Sequence, residues 1–400
     1  MVERSSGHKA GFLEDIKKTL AAHRKWLDGK HGGRRAELSF SDLSGLSLPR
    51  AVLGKARLTG ACLAGADLAG ADLSAAILVM ADLSQADLRG ASLLGADLRG
   101  ACLNGANLAD ANLAGADLRT GGATTAQSDD AKPAGRRTAL VDANLSRALM
   151  MGSKLENCDL TGAELVDADL SGADLSGAIL VATDLSGVTL TNTTLTGAVL
   201  SGAQLDATVR GLLAELGIDP RAGLADVRAR LPDLLDQHRL WVGSGGGGGK
   251  RLDLDMADLS GADLAGRDLS GARLQRCTLT GAKLQGAILV MADLAYSALE
   301  QADLGGSDLS GCVLRRANLS GANLKEAVLR HVAINGDVAR HWPTNLQHAR
   351  LAGADLRCAA AEGLLLCYAD LTGARVNMTL LTGADLRGAR GCHRAEAAEG

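Results

Sequence analysis

Leucine recurs at every fifth residue from Leu38 to Leu118, seventeen times in succession. Read in fives, the stretch from Ala36 to Thr120 places Ala first in fifteen repeats and Gly last in nine. A period of five excludes an amphipathic helix: at about 100° per residue, leucines five apart spread round every side and leave no apolar face. Glycine in most turns of such a helix would cost about 1 kcal/mol each. Short strands fit the pattern. Side chains alternate across a strand, so the first-position Ala and third-position Leu face one way and the second residue faces the other. The fourth and fifth residues turn a corner, where Gly accommodates a positive φ. Each repeat is then one wall of a coil, with Ala and Leu inside. Such small, uniform inward residues imply a narrow interior filled by leucine, without lumen or ligand cavity.

The pattern returns three times. Fourteen repeats run from Leu140 to Leu205, with Met150 substituting once; seventeen run from Leu254 to Ile334; nine looser ones occupy Thr344 to Gly388, with Ala361 and Val376 at two central positions. These repeats resemble the pentapeptide-repeat family, whose motif is A-(D/N)-L-x-x. The resemblance spans 57 repeats, about 285 of the 400 residues. It implies an all-β solenoid, a right-handed quadrilateral β-helix with four repeats per coil, here with short α-helical caps and insertions. The chain departs from many members in using Leu almost alone at the centre, where Phe is also frequent; with two Phe in the whole chain the core is expected to be slim.

The interruptions set the expected organisation. Residues 1–35 read as a basic N-terminal helical cap, with apolar residues from Phe12 to Leu27 near helical spacing and nine Lys/Arg against four acids. An open solenoid end exposes unpaired backbone groups and bare leucines, so a cap is required there. Residues 36–207 form a first solenoid with a loop insertion at 121–137, which is Gly-, Ser- and charge-rich and shifts the register. Residues 208–251 read as a helical insertion or cap ending in a Gly-rich turn: VRGLLAELG is helical in pattern, Asp219-Pro220 offers a helix start, and LADVRARLPDLLDQHRLWV continues as helix with Pro232 as a break. Residues 252–388 form a second solenoid broken at 337–343, and 389–400 a C-terminal tail. His23-Arg24-Lys25-Trp26 before the first coil matches His238-Arg239-Leu240-Trp241 before the third array, so the run GSGGGGG reads as a turn from cap into coil. The octapeptide AILVMADL at 76–83 and 287–294, with AILVATDL at 178–185, points to duplication. The caps are offset by 215 residues and the octapeptides by 211, which implies one slipped repeat.

Four features of the outer surface are candidates for function. The octapeptide puts Ile77, Val79, Met80, Ile179, Val181, Ile288, Val290 and Met291 at outward positions, a patch for packing of an inserted element or for a partner, including a second copy. His23, Trp26, His238 and Trp241 are cap residues, three apart on one helix face, read as Trp buried over the first coil with His as its polar edge. The second array carries nine Asp/Glu against two Lys/Arg, and Asp159, Glu164, Asp169, Asp174 and Asp184 form its acidic surface. Through the family resemblance, that surface implies a DNA-mimic binder of type II topoisomerase. Asp159, Glu164, Asp169 and Asp174 nonetheless belong to consecutive repeats and so fall one on each side, a belt and not an axial track. In the third array, Asp253, Arg273 and Asp293, and Asp263, Lys283 and Asp303, stack as alternating charges that support the coil.

No feature points to catalysis. His331, His341, His348 and Cys392-His393 lack metal-ligand spacing, no Ser/His/Asp set assembles, and no Gly-rich loop has strand-to-helix context. Eight Cys without a C-x-x-C pair read as reduced structural thiols. The expectations are no enzyme, no cofactor, no metal, no direct nucleic-acid binding and no membrane span. A net charge of -4 and an N-terminus without an apolar signal segment lead to a cytoplasmic, bacterial-type scaffold for protein binding. A secreted effector or secretion accessory is the further alternative.

Overall fold

The second-position residues pair in parallel with those twenty along: Glu37 with Arg57, Asp42 with Cys62, Ser47 with Asp67, Val52 with Asp72, and so on through successive coils. Twenty residues and four repeats therefore make one coil, each repeat supplying one side. These relations come from a computed structural model, which describes residues 4–122, 135–219, 223–334, 337–376, 381 and 383–391. The body of loop 121–137, Pro220 and the tail beyond 391 lie outside the described residues. The chain divides into two compact bodies, one of residues 1–199 and 203–219, the other of 200–202 and 220–400.

The repeat closes its own hydrogen-bond account. In a typical wall, Leu58 N–H donates to the Ile77 carbonyl of the next coil, Arg57 N–H to the Ala36 carbonyl of the coil before, and Gly60 N–H to the Val79 carbonyl. Ala61 N–H then donates back to the Leu58 carbonyl across the corner at 3.0 Å. That leaves the fourth amide, and the second residue supplies its acceptor: Ser44 N–H donates to Asp42 Oδ1, Ser84 N–H to Asp82 Oδ1, Ala114 N–H to Asn112 Oδ1. Asp or Asn is therefore built into the wall as an acceptor for its own turn. Inside, the leucines from Leu53 to Leu118 are fully buried, and in the second body the column's leucines are buried from Leu259 to Leu371, with Leu254 half-buried at its start.

Helix α1 (Arg4–Leu27) precedes the first coil. Helix α2 (Ala207–Glu215) follows the second array, its N-cap Asp206 accepting from Val209 N–H. Helix α3 (Leu231–Gly243) precedes the third array and carries Pro232 in its first turn. The segment Leu224–Arg230 corrects the continuous helix expected from sequence. Ala225-Asp226 pairs in parallel with Ala257-Asp258, and Val227 is buried in the leucine column. ADVRA is thus a further repeat, set before the cap and folded into the coil after it; its Ala-Asp-Val order matched the motif but was hidden among helix formers. Pro232 starts α3 instead of breaking it.

The third array also ends earlier than its spacing predicts. Leu329 is its last buried leucine, pairing with Ala361. Val332–Ile334 and Asp337–Trp342 instead form an antiparallel hairpin, leaving Ile334 37% exposed. The interruption therefore begins before residue 337. The slipped offset is explained by the spacing ahead of the octapeptides: eight repeats separate Ala36 from Ala76, but seven separate Leu252 from Ala287. One five-residue repeat fewer, against a cap turn one residue longer, leaves the four-residue difference.

Candidate interaction surfaces

The caps are anchored by histidine, reversing the expected roles of His and Trp. His23 is fully buried: Ala36 N–H donates to its Nδ1 at 3.1 Å, so its Nε2–H donates to the Gly54 carbonyl at 2.9 Å. Trp26 stacks on that imidazole at 5.5 Å with its outer face exposed beside the Arg35 guanidinium. The second cap repeats the arrangement. Leu252 N–H donates to Nδ1 of the fully buried His238 at 3.0 Å, and Trp241 stacks on it at 5.6 Å. His238 Nε2, beside the Leu269 backbone, completes no hydrogen bond. Burial pushes both imidazoles below the usual histidine value.

Both insertions leave at equivalent corners, and one threonine closes each. Thr138 Oγ1 accepts from Gly100 N–H and faces the Leu98 and Arg119 carbonyls; Thr344 Oγ1 accepts from Gly311 N–H and faces the Leu309 and Arg330 carbonyls. Each threonine stands where the repeat has Ala. That substitution was legible in the sequence, and the reading missed it. The octapeptide methionines lie at the same two corners. A methyl group added at Gly100 would fall 2.6 Å from Met80 Sδ and 2.9 Å from Gly121 Cα. One added at Gly311 would fall 2.7 Å from Met291 Sδ and 2.9 Å from a Val332 methyl. Gly121 bridges Arg136 in antiparallel fashion, and Val332 begins the second hairpin. Each methionine thus lies against glycine beside the stem of its insertion.

The rest of the octapeptide set does not share one environment. Ile77 and Val79 are half-buried, Met80, Ile288 and Met291 exposed, Val290 half-buried, and Ile179 and Val181 buried. A different apolar corner was overlooked. Leu94, Ala114 and Met151 occupy the fourth position in three consecutive coils, because Gly95 N–H donates to the Ala114 carbonyl and Gly115 N–H to the Met151 carbonyl. Leu94, Leu149 and Met151 are 49%, 41% and 38% exposed. ASLLG and ALMMG carried the signal, apolar residues at outward positions two and four.

The acidic residues of the second array are half-buried and occupied by their own turns. Asp159, Asp169, Asp174 and Asp184 accept from the backbone N–H two residues on. Asp159, Glu164, Asp169 and Asp174 pair into four different ladders, and Glu164 stacks on Asp184. Arginines at the fourth position fold back likewise: Arg89 onto Asp87, Arg99 onto Asp97, Arg119 onto Asp117, Arg357 onto Asp355. The Arg357 guanidinium holds the Asp355 carboxyl down at about 2. The expected ladders form in one direction only. Arg273 reaches Asp253 at 3.8 Å and Lys283 reaches Asp263 at 3.9 Å, whereas Asp293 and Asp303 accept from Gln275 and Gln285.

Among the described residues no cluster of His, Cys, Asp or Glu could hold a metal, and no helix is long and apolar enough to cross a membrane. Cys158, Cys277 and Cys312 are buried, and burial pushes the Cys277 thiol up to about 12.

A coil of twenty residues, four amide-satisfied walls and a leucine interior defines a solenoid built from five-residue repeats. The family model for pentapeptide repeats matches in eight copies, over residues 36–74, 66–105, 101–120, 138–177, 180–208, 257–294, 292–330 and 344–377. The chain belongs to the pentapeptide-repeat family. Solved structures similar to it include HetL, a pentapeptide repeat protein involved in heterocyst differentiation regulation from the cyanobacterium Nostoc sp. strain PCC 7120, at 25% identity over 78% of this chain and 87% of that one, TM-score 0.21. Alr5209, also from Nostoc PCC 7120, is 26% identical over 40% and 97%, TM-score 0.23. QnrB1, a plasmid-mediated fluoroquinolone resistance protein, is 25% identical over 46% and 98%, TM-score 0.23. No curated protein matches the chain.

Proposed function

We propose that this protein is a non-catalytic scaffold for protein–protein interaction in the bacterial cytoplasm, built on right-handed coils. The observation that carries the reading is the apolar corner of Leu94, Leu149 and Met151. Solvated apolar side chains within a span of three coils, with Leu94 and Met151 two coils or roughly 10 Å apart, favour contact with another protein. The neighbouring polar side chains are largely engaged by their own turns, as Asn112 is by Ala114 N–H, which leaves the apolar side chains of this corner to gain from a partner. The double variant Leu94→Lys/Met151→Lys tests it. Affinity capture from the native lysate should lose a specific protein while the melting temperature holds; an unchanged capture profile removes the corner from the reading.

A second reading, a DNA-mimic surface directed at type II topoisomerase, draws on Glu164 stacked over Asp184. The engagement of the aspartates in turn hydrogen bonds weighs against it. A supercoiling assay with purified gyrase separates the two: inhibition at micromolar protein supports the mimic, and its absence removes it.

A further inference from the structure

Each body has a helix tied to the coil that follows it through one buried imidazole, and the tie has a fixed polarity. Nδ1 of His23 accepts from Ala36 N–H, and Nδ1 of His238 accepts from Leu252 N–H. A proton placed on Nδ1 would set donor against donor and break the bond that joins helix to coil. We propose that His23 and His238 are acid-sensitive latches, each holding its capping helix on the coil that follows only while its imidazole is neutral.

The surroundings favour the neutral form. Desolvation is the largest influence on both rings. The Arg35 guanidinium opposes a proton on His23, while the Asp72 carboxylate and the Gly54 carbonyl favour one. Around His238, Arg251 opposes the proton, while Asp268 and the Leu269 backbone favour it. In each cap one face of the ring is covered by the stacked Trp26 or Trp241.

The sign follows from linkage. A histidine whose value is lowered in the docked state binds fewer protons docked than free, so docking is complete above the free value of about 6.5 and weakens below it. The docking constant then falls about tenfold per pH unit until the docked-state value is reached. Release would bare Leu252 and the leucines behind it in the second body, where Leu231, Leu234 and Leu235 now pack against the core. An acid-opened end is an unpaired sheet edge, the surface most prone to pairing with another chain.

Hydrogen exchange on the full chain tests the latch without a ligand. After correction for intrinsic rates, protection at the Ala36 and Leu252 amides should fall about tenfold per pH unit below about 6.5. The coil amides of Leu98 and Leu309, bonded between coils, should stay flat. His23→Gln and His238→Gln keep an acceptor and a donor but do not titrate. His23→Gln should flatten the Ala36 profile and leave Leu252 titrating, and His238→Gln the reverse. Flat profiles at both amides in the parent overturn the proposal. So does a glutamine variant whose own amide titrates as the parent does.

Discussion

The two bodies repeat the same three devices with different fidelity. The leucine column is copied with little change, as is the threonine that closes each insertion, down to its three partners. The caps are copied less completely: His23 uses both ring nitrogens and His238 one. The insertions diverge most, one spanning residues 121–137 and the other a short hairpin whose strands are Val332–Ile334 and Asp337–Trp342. Tolerance follows contact. A leucine touches the coils above and below and a cap residue touches one coil, so the cost of change falls in that order.

The largest effects test whether the two columns are equivalent. Leu73→Ala and Leu284→Ala lie 211 residues apart at matching depth, both fully buried. Each should cost about 3–5 kcal/mol, because stacked coils cannot collapse into the cavity. Denaturant melts followed by hydrogen exchange should place each loss in the mutated body. A loss at one site less than half the other would break the equivalence of the two cores.

Next come the closing threonines. Thr138→Val and Thr344→Val keep the shape but remove the hydroxyl that accepts from Gly100 or Gly311 N–H, while each amide keeps the Arg119 or Arg330 carbonyl as acceptor. Each should destabilise by about 1 kcal/mol, the net worth of the lost hydroxyl bonds. Equal losses at the two corners would show that the devices are energetic copies despite unlike insertions. The melting temperature of each variant reads this directly.

The caps should be unequal. His23→Leu removes two hydrogen bonds and His238→Leu one, so the first should cost about 1 kcal/mol more. The same measurement reversed, with His238→Leu the more damaging, would show that packing against Trp241 outweighs hydrogen bonding.

Much of this was legible before any coordinates. The five-residue period, the inward Leu and Ala, the two caps and their shared His and Trp all follow from side-chain alternation and pattern matching. What stayed hidden has physical causes. ADVRA looked helical because Ala and Arg favour helix and the segment runs straight into α3, and only pairing with Ala257-Asp258 shows that tertiary contact overrides that propensity. Ile334 kept the period by chance and failed because the backbone had already left the coil. The order of His and Trp burial could not be read from spacing, since three residues apart fixes a face and not a depth. The Leu94–Met151 corner was readable, but it required reading the fourth position as closely as the third.

The smallest effect compares charge pairs within a repeat with charge pairs between coils. Arg357 binds Asp355 two residues away, whereas Arg147 binds Asp110 across coils, each pair at 2.7 Å. Both are solvent-exposed, so screening and side-chain entropy cancel most of the Coulomb attraction. Arg357→Gln and Arg147→Gln should each lower the melting temperature less than any substitution above, and less still in high salt. The sign with pH is fixed. The Asp355 carboxyl, held at about 2 by Arg357, contributes stability above the ordinary carboxylate value near 3.8 and loses it as pH falls toward 2. Acid melts of parent and Arg357→Gln should therefore differ above pH 4 and converge below pH 2. If Arg147→Gln alone proves costly, coil-to-coil ion pairs hold the stack together, and the repeat-internal pairs only quiet the charge of their own turns.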